Sequence, residues 1–146
     1  MMPFTPDVLL VDDNPADTDL TADVLRRHGC GGRIRAVADG VEAIAFLRGQ
    51  GKYARDPRPH LMILDLNMPR KDGRAVLAAV RADPVLKRIP VVIFTTSLAP
   101  QDIARCYELG ASCYVNKPGN LAEFVAAVTG IGDFWLGCAC LPPREP

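Results

Sequence analysis

Short apolar runs of about four residues alternate along this chain with stretches in which apolar residues recur at helical spacing. The four strongest runs each end on polar side chains: 8–11 on Asp12-Asp13, 61–64 on Asp65, 91–94 on Thr95-Thr96 and 113–116 on Lys117-Pro118. A weaker run covers Ile34 to Val37. This alternation predicts an α/β fold in which βα units build a parallel sheet.

Capping and breaking residues set the limits of the predicted helices. Asn14-Pro15 combines a capping side chain with a proline at the first helical position, and Gly29 ends that helix. Asp39-Gly40 opens a second helix, and Ser97 with Pro100 opens a later one. The segment 49–59 is rich in Gly, Pro, Lys and Arg and is predicted to be an exposed loop.

The polar residues that end the apolar runs are predicted to form a site. The carboxyl edge of an open parallel sheet is where ligands bind, so Asp12, Asp13, Asp65, Thr95 and Lys117 should meet there. Three crowded carboxylates repel one another, and a Mg²⁺ ion bound by carboxylate oxygens relieves that repulsion. A metal-bound carboxylate can serve as a nucleophile, and phosphoryl transfer needs mainly positioning and charge neutralisation. Each residue alone is explained as a cap, a turn acid or a solvated lysine; the five together indicate a phosphoryl site.

Composition restricts the classes of function that remain. The 146 residues fit one domain, and the formal net charge of zero gives no support for nucleic acid as a partner. No uninterrupted apolar run approaches the roughly 18 residues of a membrane span, so no membrane partner is expected. The first residues lack a signal-peptide pattern, and the five cysteines show no Cys-x-x-Cys spacing; both favour reduced thiols and a cytoplasmic location. Metal binding by Cys138-Ala139-Cys140, or pairing of these cysteines with another chain, is the less favoured interpretation.

The ordered set of strand-end residues resembles the receiver domain of bacterial two-component response regulators, over residues 7 to 130. The resemblance implies a flavodoxin-like (βα)5 sandwich with sheet order 2-1-3-4-5. It also implies a single receiver domain over 1–146, with its core at about 7–131 and a C-terminal extension at about 132–146. Such a protein is a phosphoacceptor for a sensor histidine kinase rather than an enzyme, and its output is a downstream protein contact or a phosphorelay.

The resemblance implies a role for each site residue. Asp65 corresponds to the phosphoacceptor, and the implied metal ligands are Asp13, Asp65, Asp12 through water, and the backbone carbonyl of Asn67. Thr95 and Lys117 correspond to the pair that grips the phosphoryl oxygens, and Thr95 with Tyr114 forms the implied switch. A cis peptide between Lys117 and Pro118 is also expected, because the ammonium must turn back into the pocket.

A narrower resemblance concerns the stand-alone receivers that serve bacterial phytochrome kinases. It rests on Asp12 to Asp17, on the loop 52–59, on Asp65 to Pro69, on Phe94 to Ser97, and on Asp133 to Leu136 after the last helix. These motifs are less diagnostic than the phosphoacceptor set.

The terminal helix carries more apolar residues than one buried face requires. One interpretation is an ordinary core helix with a loose tail. The favoured interpretation is a homodimer in which the fourth helix, the fifth strand, the last helix and the segment Phe134 to Leu141 contact a second subunit. Phe134, Trp135 and Leu136 are the candidate interface residues.

Three other classes of protein are alternatives to the phosphoacceptor. A receiver-shaped binding module without phosphorylation would be favoured by loss of an acid or of the lysine, and none is lost. A haloacid-dehalogenase-like phosphatase would need a second acid two residues after the nucleophile, where this chain has Asn67. A flavin-binding protein would need a Ser/Thr/Gly-rich phosphate loop in place of Asp12 to Pro15.

Overall fold

The computed structural model describes residues 2–144 of the chain. Strands and helices alternate as β1 (Val8–Val11), α1 (Pro15–Arg27), β2 (Ile34–Val37), α2 (Gly40–Leu47), β3 (Leu61–Leu64), α3 (Gly73–Ala82), β4 (Val91–Thr95), α4 (Pro100–Glu108), β5 (Cys113–Asn116) and α5 (Leu121–Gly132). All neighbouring strands pair in parallel, in the order β2-β1-β3-β4-β5. This confirms the flavodoxin-like fold and the strand order predicted from the sequence.

The sheet has a separate apolar core on each face, because successive side chains of a strand point to opposite sides. One core joins Leu9, Met62 and Ile93 to helices α2, α3 and α4. The other joins Leu10 and Phe94 to helices α1 and α5. Three central strands are buried on both faces, which explains why their sequences are continuous apolar runs rather than alternating ones.

Side-chain caps place the helix N-termini at the carboxyl edge of the sheet. Asn14 accepts a hydrogen bond from the Asp17 amide, and Asp39 accepts one from the Glu42 amide. Asp72 and Asn120 cap α3 and α5 in the same way. The caps at Asn14 and Asp39 were predicted, and they fix where the loops that carry the site end.

The segment 49–59 is not uniformly exposed, so that prediction is wrong in part. A 3₁₀ helix, Gly51–Tyr53, turns the Tyr53 ring inward until the residue is only 7% exposed. The ring packs against Phe46, and its hydroxyl donates a 2.6 Å hydrogen bond to Glu42 Oε2. An aromatic side chain with a polar tip can be buried when the hydroxyl finds an acceptor, and Glu42 supplies it.

Helix α5 continues without a break into a π-helix, Asp133–Cys138. Together they form an 18-residue helix, Leu121–Cys138, whose mean hydropathy of 1.3 would suit a membrane span by length and composition. The prediction from the sequence concerned uninterrupted apolar runs, and this helix does not contradict it, because Glu123 and Asp133 interrupt the apolar residues. Phe124, Val128 and Ile131 lie in the core beside α1, which is the position of a core helix in the sandwich.

The tail after the π-helix folds back onto its own chain. Leu141 is 5% exposed, and its amide donates to the Met2 sulfur. Arg144 donates to the Arg58 carbonyl at 2.8 Å and pairs with Asp7. The expectation that the segment as far as Leu141 contacts a second subunit is wrong for Leu141, because this side chain is already buried within its own subunit.

The expected cis peptide before Pro118 is also wrong, since residues 2–144 contain no cis peptide bond. The trans isomer is the lower-energy form of an X-Pro bond. The Lys117 side chain is long enough to reach the pocket from a trans backbone.

Candidate functional site at the carboxyl edge of the sheet

Pairing of β1 with β3 brings the acidic residues together. Val11 is paired with Leu64, and the Asp65 amide donates to the Val11 carbonyl at 2.9 Å, so the residues that follow the two strands lie side by side. Carboxylate oxygens of Asp12, Asp13 and Asp65 lie within 4.8 Å of one another. The three predicted acids therefore form a cluster in the structure.

Lys117 enters this cluster from the end of β5. Its amide donates to the Thr95 carbonyl at 2.7 Å, which fixes its backbone beside β4. Its Nζ atom lies 2.5 Å from Asp12 Oδ2, 3.0 Å from Asp17 Oδ2 and 3.1 Å from Asp65 Oδ2. Only 5% of the lysine side chain is exposed, so these carboxylates take the place of water around the ammonium.

The electrostatics of the pocket follow from burial and pairing. Burial alone would lower the pKa of Lys117, but hydrogen bonds to Asp12 and Asp17 raise that pKa above its ordinary value. Burial raises the pKa of Asp12, and its hydrogen bonds to Lys117 and to the Asn14 amide only partly offset this. The ammonium is thus firmly charged, while Asp12 ionises at an energetic cost that a further cation would reduce.

Asp65 is held by two donors at the centre of the pocket. Its Oδ1 atom accepts from the Leu66 amide at 2.7 Å, and its Oδ2 atom accepts from Lys117. The backbone behind it is packed against Gly73, where an added Cβ would lie 2.1 Å from the Asp65 carbonyl oxygen. Asn67 follows two residues later on an exposed stretch of the β3–α3 loop.

Thr95 ends β4 and is 0% exposed. Its Oγ1 atom is buried and has no hydrogen-bond partner among residues 2–144. A buried hydroxyl left in that state costs about 1–3 kcal/mol, so a ligand oxygen at this point would be bound favourably. Hard oxygen ligands from three carboxylates are what Mg²⁺ prefers, so the acidic cluster and the free hydroxyl together fit a divalent cation and a phosphoryl group.

Tyr114 lies outside the pocket but contacts the segment that leads from it. Its hydroxyl donates to the Ser97 carbonyl at 2.8 Å, and the ring packs against the core on the α4 side. Ser97 Oγ in turn donates to Asp102 at 2.6 Å, and Arg74 Nη2 lies 2.6 Å from the same carboxylate. The aromatic side chain is therefore linked to the loop between Thr95 and α4.

The predicted interface residues Phe134, Trp135 and Leu136 follow α5 and differ in exposure. Phe134 is 52% exposed, whereas Trp135 and Leu136 are partly buried against their own core.

Asp17 is a site residue that the sequence analysis missed. In the sequence it is named only as the last residue of the motif Asp12 to Asp17, yet its carboxylate lies beside the Lys117 ammonium. The available signal was its position. Asp17 lies one helical turn after Asp13, at the start of the helix that follows the first strand-end acids.

A protein-family model of the response regulator receiver domain matches residues 8–129. The chain therefore belongs to the response regulator receiver domain family, in agreement with its fold and with the arrangement of its strand-end residues. Among individual proteins, it is 46% identical over 135 residues to the response regulator Rcp1 of Synechocystis sp., covering 92% of each chain.

Two solved structures show how closely the fold is shared. The phosphorylated cyanobacterial phytochrome response regulator RcpA has 45% sequence identity and a TM-score of 0.92, covering 96% of this chain and all of that one. The Mn²⁺-bound form of Rcp1 has 45% identity and a TM-score of 0.91, covering 94% of this chain and 99% of that one.

Proposed function

We propose that this chain is a stand-alone, cytoplasmic response regulator that accepts a phosphoryl group on Asp65 from the phosphohistidine of a sensor kinase. One observation carries the proposal: two neighbouring acids, Asp12 and Asp13, and the buried ammonium of Lys117 all lie beside the Asp65 carboxylate. The buried hydroxyl of Thr95, which has no hydrogen-bond partner in the described part of the chain, also supports it. In this role the chain is a phosphoacceptor that assists its own phosphorylation, not an enzyme with a turnover substrate.

The chemistry is an in-line displacement at phosphorus. An Asp65 carboxylate oxygen forms the new P–O bond while the P–N bond to the kinase histidine breaks, and the imidazole leaves with the electron pair of that bond. Lys117 and Thr95 donate hydrogen bonds to the phosphoryl oxygens. A bound Mg²⁺ would neutralise charge on the carboxylates and the phosphoryl oxygens; Asp13, Asp65, the Asn67 carbonyl and, through water, Asp12 would hold it.

The proposed kinase is of the phytochrome type. Support comes from the similarity to RcpA, a cyanobacterial phytochrome response regulator, and from the high coverage of both chains. Output would pass to a downstream protein by contact or by phosphorelay.

The proposed output switch links Thr95 to Tyr114. Movement of the Thr95 hydroxyl toward a phosphoryl oxygen would shift the backbone as far as Ser97, whose carbonyl holds the Tyr114 hydroxyl. Phosphorylation would thereby bias a two-state element on the α4–β5 side.

The proposed homodimer face is the edge of the sheet at β5, together with α4 and α5, which lie on its two faces. Leu98, Tyr107, Leu121 and Phe134 are exposed by 65%, 50%, 66% and 52%, and all lie in or beside α4 and α5. Exposed apolar groups on one side of a molecule mark an interface more often than isolated ones do. A two-fold dimer is the default arrangement for identical subunits.

Phosphoryl acceptance is tested with a small phosphodonor and Mg²⁺, followed by intact-mass and peptide mapping. We expect one phosphoryl group on Asp65 in the parent, none in Asp65→Asn, and parental behaviour in Asp19→Asn, which alters an exposed acid on α1. Unmodified parent protein under conditions that phosphorylate a known receiver would instead favour the receiver-shaped binding module.

The metal and kinase assignments need separate measurements. Calorimetric titration should show Mg²⁺ binding that is lost in Asp13→Ala; unchanged affinity would place the metal elsewhere.

Transfer from autophosphorylated phytochrome kinases should be faster than transfer from sensor kinases of other types, and equal rates would contradict the phytochrome assignment.

The dimer is tested by light scattering at tens of micromolar. Phe134→Ser should lower the mass toward that of a monomer, whereas Val85→Ser, at an exposed apolar residue near α3, should not. A monomeric parent would refute the dimer.

A further inference from the structure

The partners of Lys117 divide into two groups. Asp12 and Asp65 belong both to the lysine's contacts and to the acidic cluster that suits a cation. Asp17 contacts the lysine at 3.0 Å and lies outside that cluster. Asp17 is therefore a carboxylate that the ammonium can keep when Asp12 and Asp65 are engaged by other groups.

The local sequence fixes Asp17 in this position. Asn14 caps α1 through the Asp17 amide at 3.2 Å, so the cap and the acid are parts of one turn. Asp17 lies in the first turn of the helix, where the helix dipole favours a negative charge. The carboxylate is 28% exposed, compared with 10% for Asp12 and 11% for Asp65, so it stands at the rim of the pocket rather than at its floor.

We propose that Asp17 is a positioning residue that holds the ammonium of Lys117 at the pocket while Asp12 and Asp65 serve the cation and the phosphoryl group. This role rests on the proposed phosphoryl acceptance by Asp65. Without Asp17, the ammonium in the loaded site loses its remaining carboxylate partner and gains access to other rotamers. Lys117 then points at the phosphoryl oxygens for a smaller fraction of the time.

The first test compares rates of phosphorylation by a small phosphodonor at saturating Mg²⁺. For an ion pair at a partly exposed rim, we expect Asp17→Asn to slow phosphorylation about fivefold. Asp17→Glu, which can restore the contact, should recover most of the rate. The matched control is Asp19→Asn, which removes an exposed acid two positions away and should match the parent.

The second test separates positioning from a general effect of charge or stability. In a Lys117→Ala background, Asp17→Asn should change the residual rate by less than about 1.5-fold, because its target is gone. An undiminished fivefold effect in that background would overturn the proposal.

A third measurement does not depend on phosphorylation. The chain contains four lysines, Lys52, Lys71, Lys87 and Lys117, so reductive methylation can be followed at each by mass spectrometry. Asp17→Asn should speed labelling of Lys117 relative to the other three, and more so with Mg²⁺ than without it. Equal labelling ratios in Asp17→Asn and Asp19→Asn would overturn the proposal.

The outcomes distinguish this role from the function on which it rests. A parent that takes up no phosphoryl group would refute phosphoryl acceptance and the role of Asp17 together. If the parent is phosphorylated and Asp17→Asn is phosphorylated at the same rate, only the role of Asp17 is refuted.

Discussion

Replacing Lys117 by Met removes the ammonium that contacts Asp12, Asp17 and Asp65 and leaves a side chain of similar length. The Asp12 and Asp65 side chains are only 10% and 11% exposed, so water cannot take over the role of the lysine. Loss of one partner from a buried ion pair is strongly destabilising, because it leaves uncompensated charge behind.

The magnitude follows from these distances. At an effective dielectric constant of about 20, two charges about 3 Å apart attract by roughly 5–6 kcal/mol before desolvation is counted. Removing one partner of a buried pair costs about 3–5 kcal/mol. Because Asp17 is partly exposed and Asp12 keeps its bond from the Asn14 amide, we expect the lower end, about 3 kcal/mol near neutral pH without divalent cations. For a domain of this size that corresponds to a fall in Tm of about 10 °C.

The pH dependence of the loss has a definite sign. Burial already raises the pKa of Asp12 above its ordinary value, and loss of Lys117 raises that pKa further. A carboxyl whose pKa is raised on folding stabilises the protein at low pH, and this contribution disappears as the pH rises through the folded-state pKa. The deficit of Lys117→Met should therefore be smaller at about pH 5 than at about pH 7. Mg²⁺ should also reduce it, by neutralising the same carboxylates.

Urea unfolding followed by circular dichroism measures the free energy in each condition. The control is Lys87→Met, which replaces an exposed lysine shortly before the amino end of β4. Its free energy of unfolding should stay within about 0.5 kcal/mol of that of the parent. A deficit below about 1 kcal/mol, or one that neither lower pH nor Mg²⁺ diminishes, would refute the argument that Lys117 balances buried carboxylates.

Three further predictions concern the surrounding framework. Gly73→Ala should lower the free energy of unfolding, measured with urea, by about 1–3 kcal/mol and should slow phosphorylation, because the new Cβ would lie 2.1 Å from the Asp65 carbonyl oxygen. A variant with the parental stability and the parental phosphorylation rate would contradict this. Leu141→Ala should cost about 2–4 kcal/mol in the same assay, since the tail residue is buried in its own subunit, and a loss below about 0.5 kcal/mol would mean that the tail is detached in solution. Tyr53 should deprotonate at about pH 12 in ultraviolet titration, because burial and the hydrogen bond to Glu42 raise its pKa. Tyr53→Phe should remove that phase of the titration. A Tyr53 that titrates near the ordinary tyrosine pKa of 10.0 would contradict the buried hydrogen bond.

Local pattern was sufficient for most of the fold. The apolar runs that became β1, β3 and β4 are buried on both faces, so their sequences carry a continuous signal that needs no tertiary information. Asn14 and Asp39 act within one helical turn, so the caps could also be assigned from sequence. Because parallel strands present their carboxyl ends at one edge, the order of the runs placed Asp12, Asp65 and Lys117 together.

Contacts between distant segments could not be assigned in this way. The bond from Lys117 to Asp17 spans 100 positions. The place of Asp17 one helical turn after Asp13 indicates that it is near the site, but not that it contacts Lys117. The inward turn of Tyr53 depends on Glu42 being within reach, and the burial of Leu141 depends on where the N-terminal segment lies.

The sequence by itself therefore determined the elements and the chemical set at the carboxyl edge, because hydrophobic periodicity, capping and strand direction are local properties. The order of the strands in the sheet followed only from the resemblance to the receiver family. Only the tertiary structure decided which carboxylates share the Lys117 ammonium, that the Thr95 hydroxyl has no hydrogen-bond partner within the described range 2–144, and that Leu141 of the tail is buried against its own chain. Those outcomes depend on angles and distances between packed layers, and a pattern read along one chain does not contain them.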